Sequence, residues 1–208
     1  RFGTSGLLTA LSGAENKIGF DKNPWSFLYC RSIKHSFDSI HEVDRNQGLI
    51  AEISDEVAAK PRLYPDKQDF AKVARYKRDP YVCIAPNSIW FTKQLTLDKW
   101  VEVMSQHTEQ IYLIGGPDDR SRCEELAAAL MGSITVLAGE MTFLETAALM
   151  QDAQMNYVND SAPLHIASAM DAPVTAIYCS TVPEFGFGPL STNSKVVQTQ
   201  EALECRPC

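Results

Sequence analysis

From about residue 80 onward, short apolar runs alternate with stretches whose apolar positions fall three and four residues apart. Tyr81-Val82-Cys83-Ile84-Ala85 is a continuous apolar run closed by Pro86, the pattern of a buried strand. Residues 97–107 carry helical spacing. Thr96 can cap that helix, and Leu95 and Trp100 occupy the two positions of a hydrophobic staple. Ile111 to Ile114 is the next strand, broken by Gly115-Gly116, and residues 118–131 open with acids and continue in Ala and Leu, which predicts a helix. Ile134 to Leu137 is a third strand. Thr142-Phe143-Leu144-Glu145 is a capping box that opens a helix to about Gln151. Met155 to Val158, Val174 to Cys179 and Lys195 to Gln198 predict further strands, with a helix from Ser161 to Met170 between the first two. Strands and helices that alternate through short loops predict βαβ units: an α/β fold with a parallel sheet and helices on both faces. Ligands of such sheets bind beyond the carboxyl ends of the strands, where Asn159, Asp160 and Ser161 fall.

Residues 1–78 are less regular. Leu7 to Leu11 reads as helix, Lys17 to Phe20 as a short strand and Asp66 to Arg75 as another helix. The charged stretch Arg75-Tyr76-Lys77-Arg78-Asp79-Pro80 reads as a linker, which predicts a partial N-terminal domain over 1–78 and a C-terminal domain over 79–208. A chain of 208 residues, 45% hydrophobic and 22% charged, suits one large or two small domains. No run approaches the roughly 18–20 apolar residues of a membrane span. The net charge of -7 argues against a general nucleic-acid binder. The six cysteines do not form a secreted disulfide pattern, so a reducing cytoplasm is expected, and Cys83 and Cys179 read as small core residues. The single C-x-x-C at Cys205 and Cys208 cannot complete a four-ligand zinc site, and His35, His41, His107 and His165 have no metal-ligand spacing. The first residue is Arg1, with neither an initiator Met nor a signal peptide, so the chain is either processed or preceded by further residues.

Four strand-to-helix loops should open on one edge of the sheet: 86–93, 115–118, 138–141 and 159–165. Helix N-termini at that edge suit a phosphate. Lys93 is either a phosphate partner or an ordinary surface lysine. Asp118 is either a ribose ligand or a first-turn charge against the helix dipole. Met141 is either core or a neighbour of a base. Asp160 or Ser161 can cap the following helix, with Pro163 tolerated in its first turn, and Ser161 and His165 stand four apart on one helix face. The absence of G-x-S-x-G, G-x-G-x-x-G and Walker A patterns argues against a serine hydrolase, a dinucleotide dehydrogenase and a P-loop NTPase. Micromolar binding requires about 8 kcal/mol. A helix terminus supplies at most about 2 and a charge-assisted hydrogen bond about 1.5–3, so a nucleotide site must draw on several of these loops.

The run "NDSAPLHIASAMDAPVTAIYCST" resembles the Asn-Asp-(Ser/Thr)-Gly-Pro-x-His-(Leu/Ile)-Ala signature of glycosyltransferase family 9, the heptosyltransferases of lipopolysaccharide synthesis. "CIAPNSIWFTKQLTLDKW", "IYLIGGPDD", "LAGEMTFLETAALMQDA", "LTALSGAENKIGFD" and the terminal "CRPC" are similar to further motifs of that family. The resemblance implies a GT-B fold of two Rossmann-like domains, the second binding a nucleotide sugar, with ADP-heptose favoured and no metal. By the same resemblance Asn87, Ser88 and Lys93 would meet the diphosphate and Asp118 the ribose. Met141 would lie near the base, and Asp160, Ser161, Ala162 and His165 near the sugar and phosphates. The acceptor would be a lipopolysaccharide or other glycolipid, met at the cytoplasmic face of the inner membrane with possible peripheral contact. Ala162 departs from the family's glycine. The family's N-terminal strand and Gly-Asp loop, which carry its candidate base, have no counterpart here, so the chain is expected to be a donor-binding domain with an incomplete acceptor half and little activity. A non-catalytic nucleotide-sugar module and a GT-B sugar-nucleotide epimerase are the alternatives.

Overall fold

A computed structural model describes residues 2–36, 39–55 and 57–207. The chain divides into two compact units, residues 1–59 with 184–188 and residues 60–183 with 189–208.

The larger unit is built on six parallel strands. β3 (Tyr81–Ala85), β4 (Gln110–Leu113), β5 (Ile134–Val136), β6 (Met155–Asn159), β7 (Val174–Tyr178) and β8 (Ser194–Gln198) lie in the order β5-β4-β3-β6-β7-β8. The first three strands build outward from β3 on one side and the last three on the other, so the order reverses between β3 and β6. Alternation along each strand sorts the core into two faces. Tyr81, Cys83, Ala85, Val174 and Ala176 point to one. There they meet α6 (Phe143–Gln151) and α7 (Ala162–Ala169) through Ala147 to Met150, Leu164 and Ala167. Val82, Ile84, Ile111 and Leu113 point to the other, against Trp100 and Met104 of α4 (Leu97–Ser105) and Cys123 and Leu126 of α5 (Arg120–Ala128). Cys83 is wholly buried, and burial pushes its thiol well above the usual range; Cys179 is only half-buried.

Three expectations shift. The stretch 75–80 is not a linker, and the division between units lies at Ala59/Lys60. The helix Lys67–Val73, α3, packs on α6 through the buried Val73. Beyond it Lys77 Nζ donates to Ala148 O and to Asp152 Oδ2, each at 2.6 Å, and Tyr112 Oη donates to Tyr76 O at 2.9 Å. These bonds tie a charged stretch to the core. The helix expected over 118–131 is shorter: Pro117–Asp119 is a 3-10 turn and α5 starts at Arg120. Thr96 takes the N-cap position of α4 without a side-chain cap bond, and its hydroxyl donates to the Asp98 carboxylate.

The smaller unit holds α1 (Phe2–Leu11), the parallel pair β1 (Ile18–Phe20) and β2 (Arg31–Ile33), and α2 (Glu42–Gln47). Residues 184–188 join it through a bond from Glu42 N to Gly186 O at 2.8 Å. Its buried residues among those described are Gly6, Arg45 and Gly186, so it encloses no apolar core of its own there.

The capping box of α6 is complete. Glu145 N donates to Thr142 Oγ1 at 3.2 Å, and Thr142 N donates to Glu145 Oε2 at 2.8 Å. Thr142→Ala should cost about 1 kcal/mol in urea unfolding. The Thr142 amide, helped by Lys72, holds the buried Glu145 carboxyl below the usual glutamate range. A depressed carboxyl stabilises fully above its unfolded value of about 4.3 and loses that contribution as pH falls through the lower folded value. Urea midpoints of wild type and Glu145→Gln, taken from about pH 6 down to about pH 3, should therefore converge at the acid end.

Candidate functional site

A cavity of about 740 Å³ opens at the carboxyl edge of the large sheet, beside the reversal between β3 and β6. All four loops singled out from the sequence contribute to its lining or its frame. The residues after β3 supply Asn87, Ser88, Ile89, Trp90 and Lys93; those after β4 supply Gly115 to Asp119. The residues after β5 supply Met141, with Phe143 and Thr146 from α6, and those after β6 supply Asp160 to Pro163, with Ile166 from α7.

The frame is hydrogen-bonded across loops. Asn159 is fully buried and uses both ends of its amide: Nδ2 donates to Pro86 O at 2.7 Å, and Oδ1 accepts from Leu95 N at 3.2 Å. It thus pins both ends of the loop after β3 to the end of β6. Within that loop Gln94 Nε2 donates to Ser88 O at 2.6 Å. Asn87 Nδ2 reaches Asp119 O at 3.2 Å, while its buried Oδ1 has no partner among the described residues. Gly139 sets the third loop. Its φ is +79°, and a Cβ there would stand 2.9 Å from Pro117 Cα, so only glycine fits against the neighbouring loop.

The charges are arranged in a specific way. Lys93 Nζ donates to Asp160 Oδ2 at 2.6 Å, with the carboxylate side chain 7% exposed and the lysine 25%. Asp119 is turned inward and accepts from Gly116 N at 2.8 Å. Asp118 stands exposed in the Pro117–Asp119 turn. An ammonium has three N–H groups, so with one on Asp160 the other two remain for an anion in the cavity. The apolar wall of Ile89, Trp90, Met141, Phe143 and Ile166 suits a ring system better than a second charge.

The expected capping of α7 is not what forms. Ser161 takes the N-cap place with extended backbone (φ -154°, ψ 178°), yet its hydroxyl donates back to Asn159 O at 3.4 Å. Two causes act together. Pro163 removes the N–H at N2, and the N3 donor, Leu164 N, is already bonded to Ser161 O at 3.0 Å, so neither position that a capping side chain uses offers a free donor. The Asp160 carboxylate has instead a charged partner in Lys93 and a hydroxyl partner in Thr181. The Ala162 N–H at the cavity wall has no partner among the described residues.

Of the nine residues picked from the sequence, Asn87, Ser88, Lys93, Asp118, Met141, Asp160, Ser161 and Ala162 line this one cavity, and His165 does not. His165 is exposed on α7. The i,i+4 rule that paired it with Ser161 applies within a helix, and Ser161 stands just outside one. The positions of α7 that line the cavity are Ala162, Pro163 and Ile166. Ala162 is the first residue of α7, with ordinary helical backbone, so no left-handed conformation demands the glycine. The reading missed Asp119, Phe143, Thr146 and Thr181. Thr181 follows β7 at the same sheet edge, but no α-helix comes after it, so the search for strand-to-helix loops passed it over. Among the described residues no three His, Cys, Asp or Glu side chains stand together as a metal site, and no helix is long and apolar enough to cross a membrane.

Comparison with known proteins gives the family and the fold. The profile of glycosyltransferase family 9 (heptosyltransferase) matches residues 4–208. Lipopolysaccharide heptosyltransferase 3 of Escherichia coli (strain K12) is 34% identical over 110 residues, which cover 50% of this chain and 32% of that protein. The chain thus spans about a third of the length of that relative. The solved structure of E. coli ADP-heptose lps heptosyltransferase II superposes with a TM-score of 0.79 at 19% identity, covering 100% of this chain and 70% of the other. An E. coli heptosyltransferase solved with ADP gives 0.67 at 21% identity, covering 88% and 59%. These two likenesses concern the fold, which is of the GT-B type.

Asn159→Ala should free the loop after β3 from β6 and leave Pro86 O and Leu95 N without partners. A loss of about 2–4 kcal/mol in urea unfolding is expected for one buried and one half-buried backbone group left unsatisfied. A loss below about 0.5 kcal/mol would mean that the loop is held by other contacts.

Proposed function

Because the chain belongs to glycosyltransferase family 9, the heptosyltransferases, we propose that its larger unit binds the diphosphate and nucleoside of a nucleotide-sugar donor, with ADP-heptose the favoured one. The protein would move heptose or a similar sugar from that donor to a lipopolysaccharide-type glycolipid, at the cytoplasmic face of the inner membrane. The observation that carries this reading is the Lys93–Asp160 pair beside the open Ala162 N–H, in a cavity of the size small-molecule sites occupy. Lys93 would turn its two remaining N–H groups to the diphosphate, and the α7 N-terminus would face the same charge. Asp118, exposed at the cavity, would accept from a ribose hydroxyl, and Met141 would lie against the base. In transfer, the acceptor hydroxyl attacks the anomeric carbon and releases its proton to solvent, the bond from that carbon to the diphosphate oxygen breaks, and the leaving diphosphate takes the electron pair. Fixed donors aimed at that oxygen stabilise the charge as it grows. On this reading the loops and the lysine do the work a metal does in other transferases, and no metal is called for.

Calorimetric titration with ADP, GDP and UDP tests the reading. ADP should bind, and Lys93→Ala should weaken it by tenfold or more, the effect of losing a charge-assisted bond of about 1.5–3 kcal/mol. No binding of any of the three at about millimolar concentration, a free energy near 4 kcal/mol, would remove the donor site from this cavity.

A further inference from the structure

The residues after β7 reach the sheet edge where Asp160 lies. Thr181 is buried, 8% exposed, and its hydroxyl donates to Asp160 Oδ2 at 2.7 Å, the same oxygen that accepts from Lys93. The Thr181 backbone is held in turn by Arg206. Its Nε donates to Cys179 O at 2.9 Å, and its Nη2 donates to Thr181 O at 2.9 Å and to Gln198 Oε1 at 2.6 Å. One guanidinium therefore clasps two alternate carbonyls of the chain leaving β7 and the end of β8. A planar fork of donors can span these acceptors together, where a single ammonium cannot.

We propose that Thr181 is a positioning residue of the anion site and that Arg206 fixes it in place. The inference rests on the diphosphate reading of the cavity. Asp160 with Lys93 alone could turn about its side-chain bonds and carry the ammonium with it. The second bond from Thr181 sets the carboxylate, and the carboxylate sets Lys93 against the cavity with two N–H groups to spare. A lysine already held loses less freedom when the phosphate arrives. Neither Thr181 nor Arg206 lines the cavity, so both act on a ligand only through Asp160 and Lys93. This gives Arg206, from the C-x-x-C motif noted in the sequence, a part in the site.

The test is titration of the 208-residue chain with ADP, together with thermal unfolding of each variant. Thr181→Val removes the hydroxyl at nearly constant volume and should weaken ADP binding about tenfold, as expected for one bond to a charged group. Thr181→Ser keeps the donor and should stay within about twofold of wild type. In a Lys93→Ala background Thr181→Val should have no further effect, because the lysine through which it acts is gone. Arg206→Ala should weaken ADP binding about threefold, and less than that in the Thr181→Val background. Unchanged affinity in folded Thr181→Val, or an equal loss with and without Lys93, overturns the proposal. If Thr181→Val does not fold, Arg206→Ala decides, and wild-type affinity in that variant overturns it. If Lys93→Ala itself leaves ADP binding unchanged, the diphosphate reading fails first. Loss in Lys93→Ala with none in Thr181→Val leaves that reading standing and removes this one.

Discussion

The pairing of β3 with β6 is the constraint on which the rest of the larger unit depends. Both strands lie at the centre of the sheet, and the chain leaves them in opposite directions. The loops that follow therefore part, and the space between them becomes a cavity rather than a packed surface. A gap of that kind is unstable unless its rims are fixed. Asn159 fixes them from a position with no solvent exposure, donating to Pro86 O and accepting from Leu95 N. Buried amides that satisfy both ends are stiff, and stiffness here is transmitted to Lys93, which lies between those two anchor points.

The electrostatics follow from the same arrangement. Of the residues lining the cavity, Asp118, Asp119 and Asp160 are acidic and Lys93 alone is basic, an unpromising balance for an anion. Geometry reverses it. Asp119 is spent on a backbone amide, Asp118 stands at the exposed turn, and Asp160 is matched by Lys93 and Thr181. Lys93 keeps two N–H groups beyond its bond to Asp160, and the N-terminus of α7 and the exposed Asp118 line the same cavity. Asp160 thus acts less as a competitor for the lysine than as its support, and the acidic composition of the chain as a whole does not describe the field at this point.

The strands and helices of the larger unit were legible because strands buried on both faces are continuous apolar runs, and because Gly, Pro and capping residues mark their ends. The four loops were legible as a set for the same reason, since a parallel sheet sends them all to one edge. What was not legible has physical causes. A charged stretch at 75–80 looks like a linker, but Lys77 places its ammonium over the Phe70 ring, 5.1 Å from the centroid, and on Ala148 O, so it closes a core instead of leaving it. Capping at Asp160 or Ser161 was a sound inference from residue type, defeated by the proline that removes the recipient N–H. His165 was picked by its place in the family motif, and a motif does not report that its side chain stands exposed on α7, outside the cavity lining. Thr181 carries no motif of its own, and its bond to Asp160 spans 21 residues of sequence, which no local pattern reports.

The strand order also sets a timetable. β3 is made first, pairs with β4, and must wait for residues 155–159 before its other edge is covered. Until then the strand Tyr81–Ala85, every residue of which is buried in the finished protein, presents an open parallel edge and an uncovered apolar face. Such pairings between segments far apart in sequence form slowly and leave sticky intermediates exposed. Asp160 follows β6, so Lys93 is synthesised well before the carboxylate that pairs with it. Pairing of Lys93 with Asp160 and closure of the sheet at β6 consequently belong to the same step.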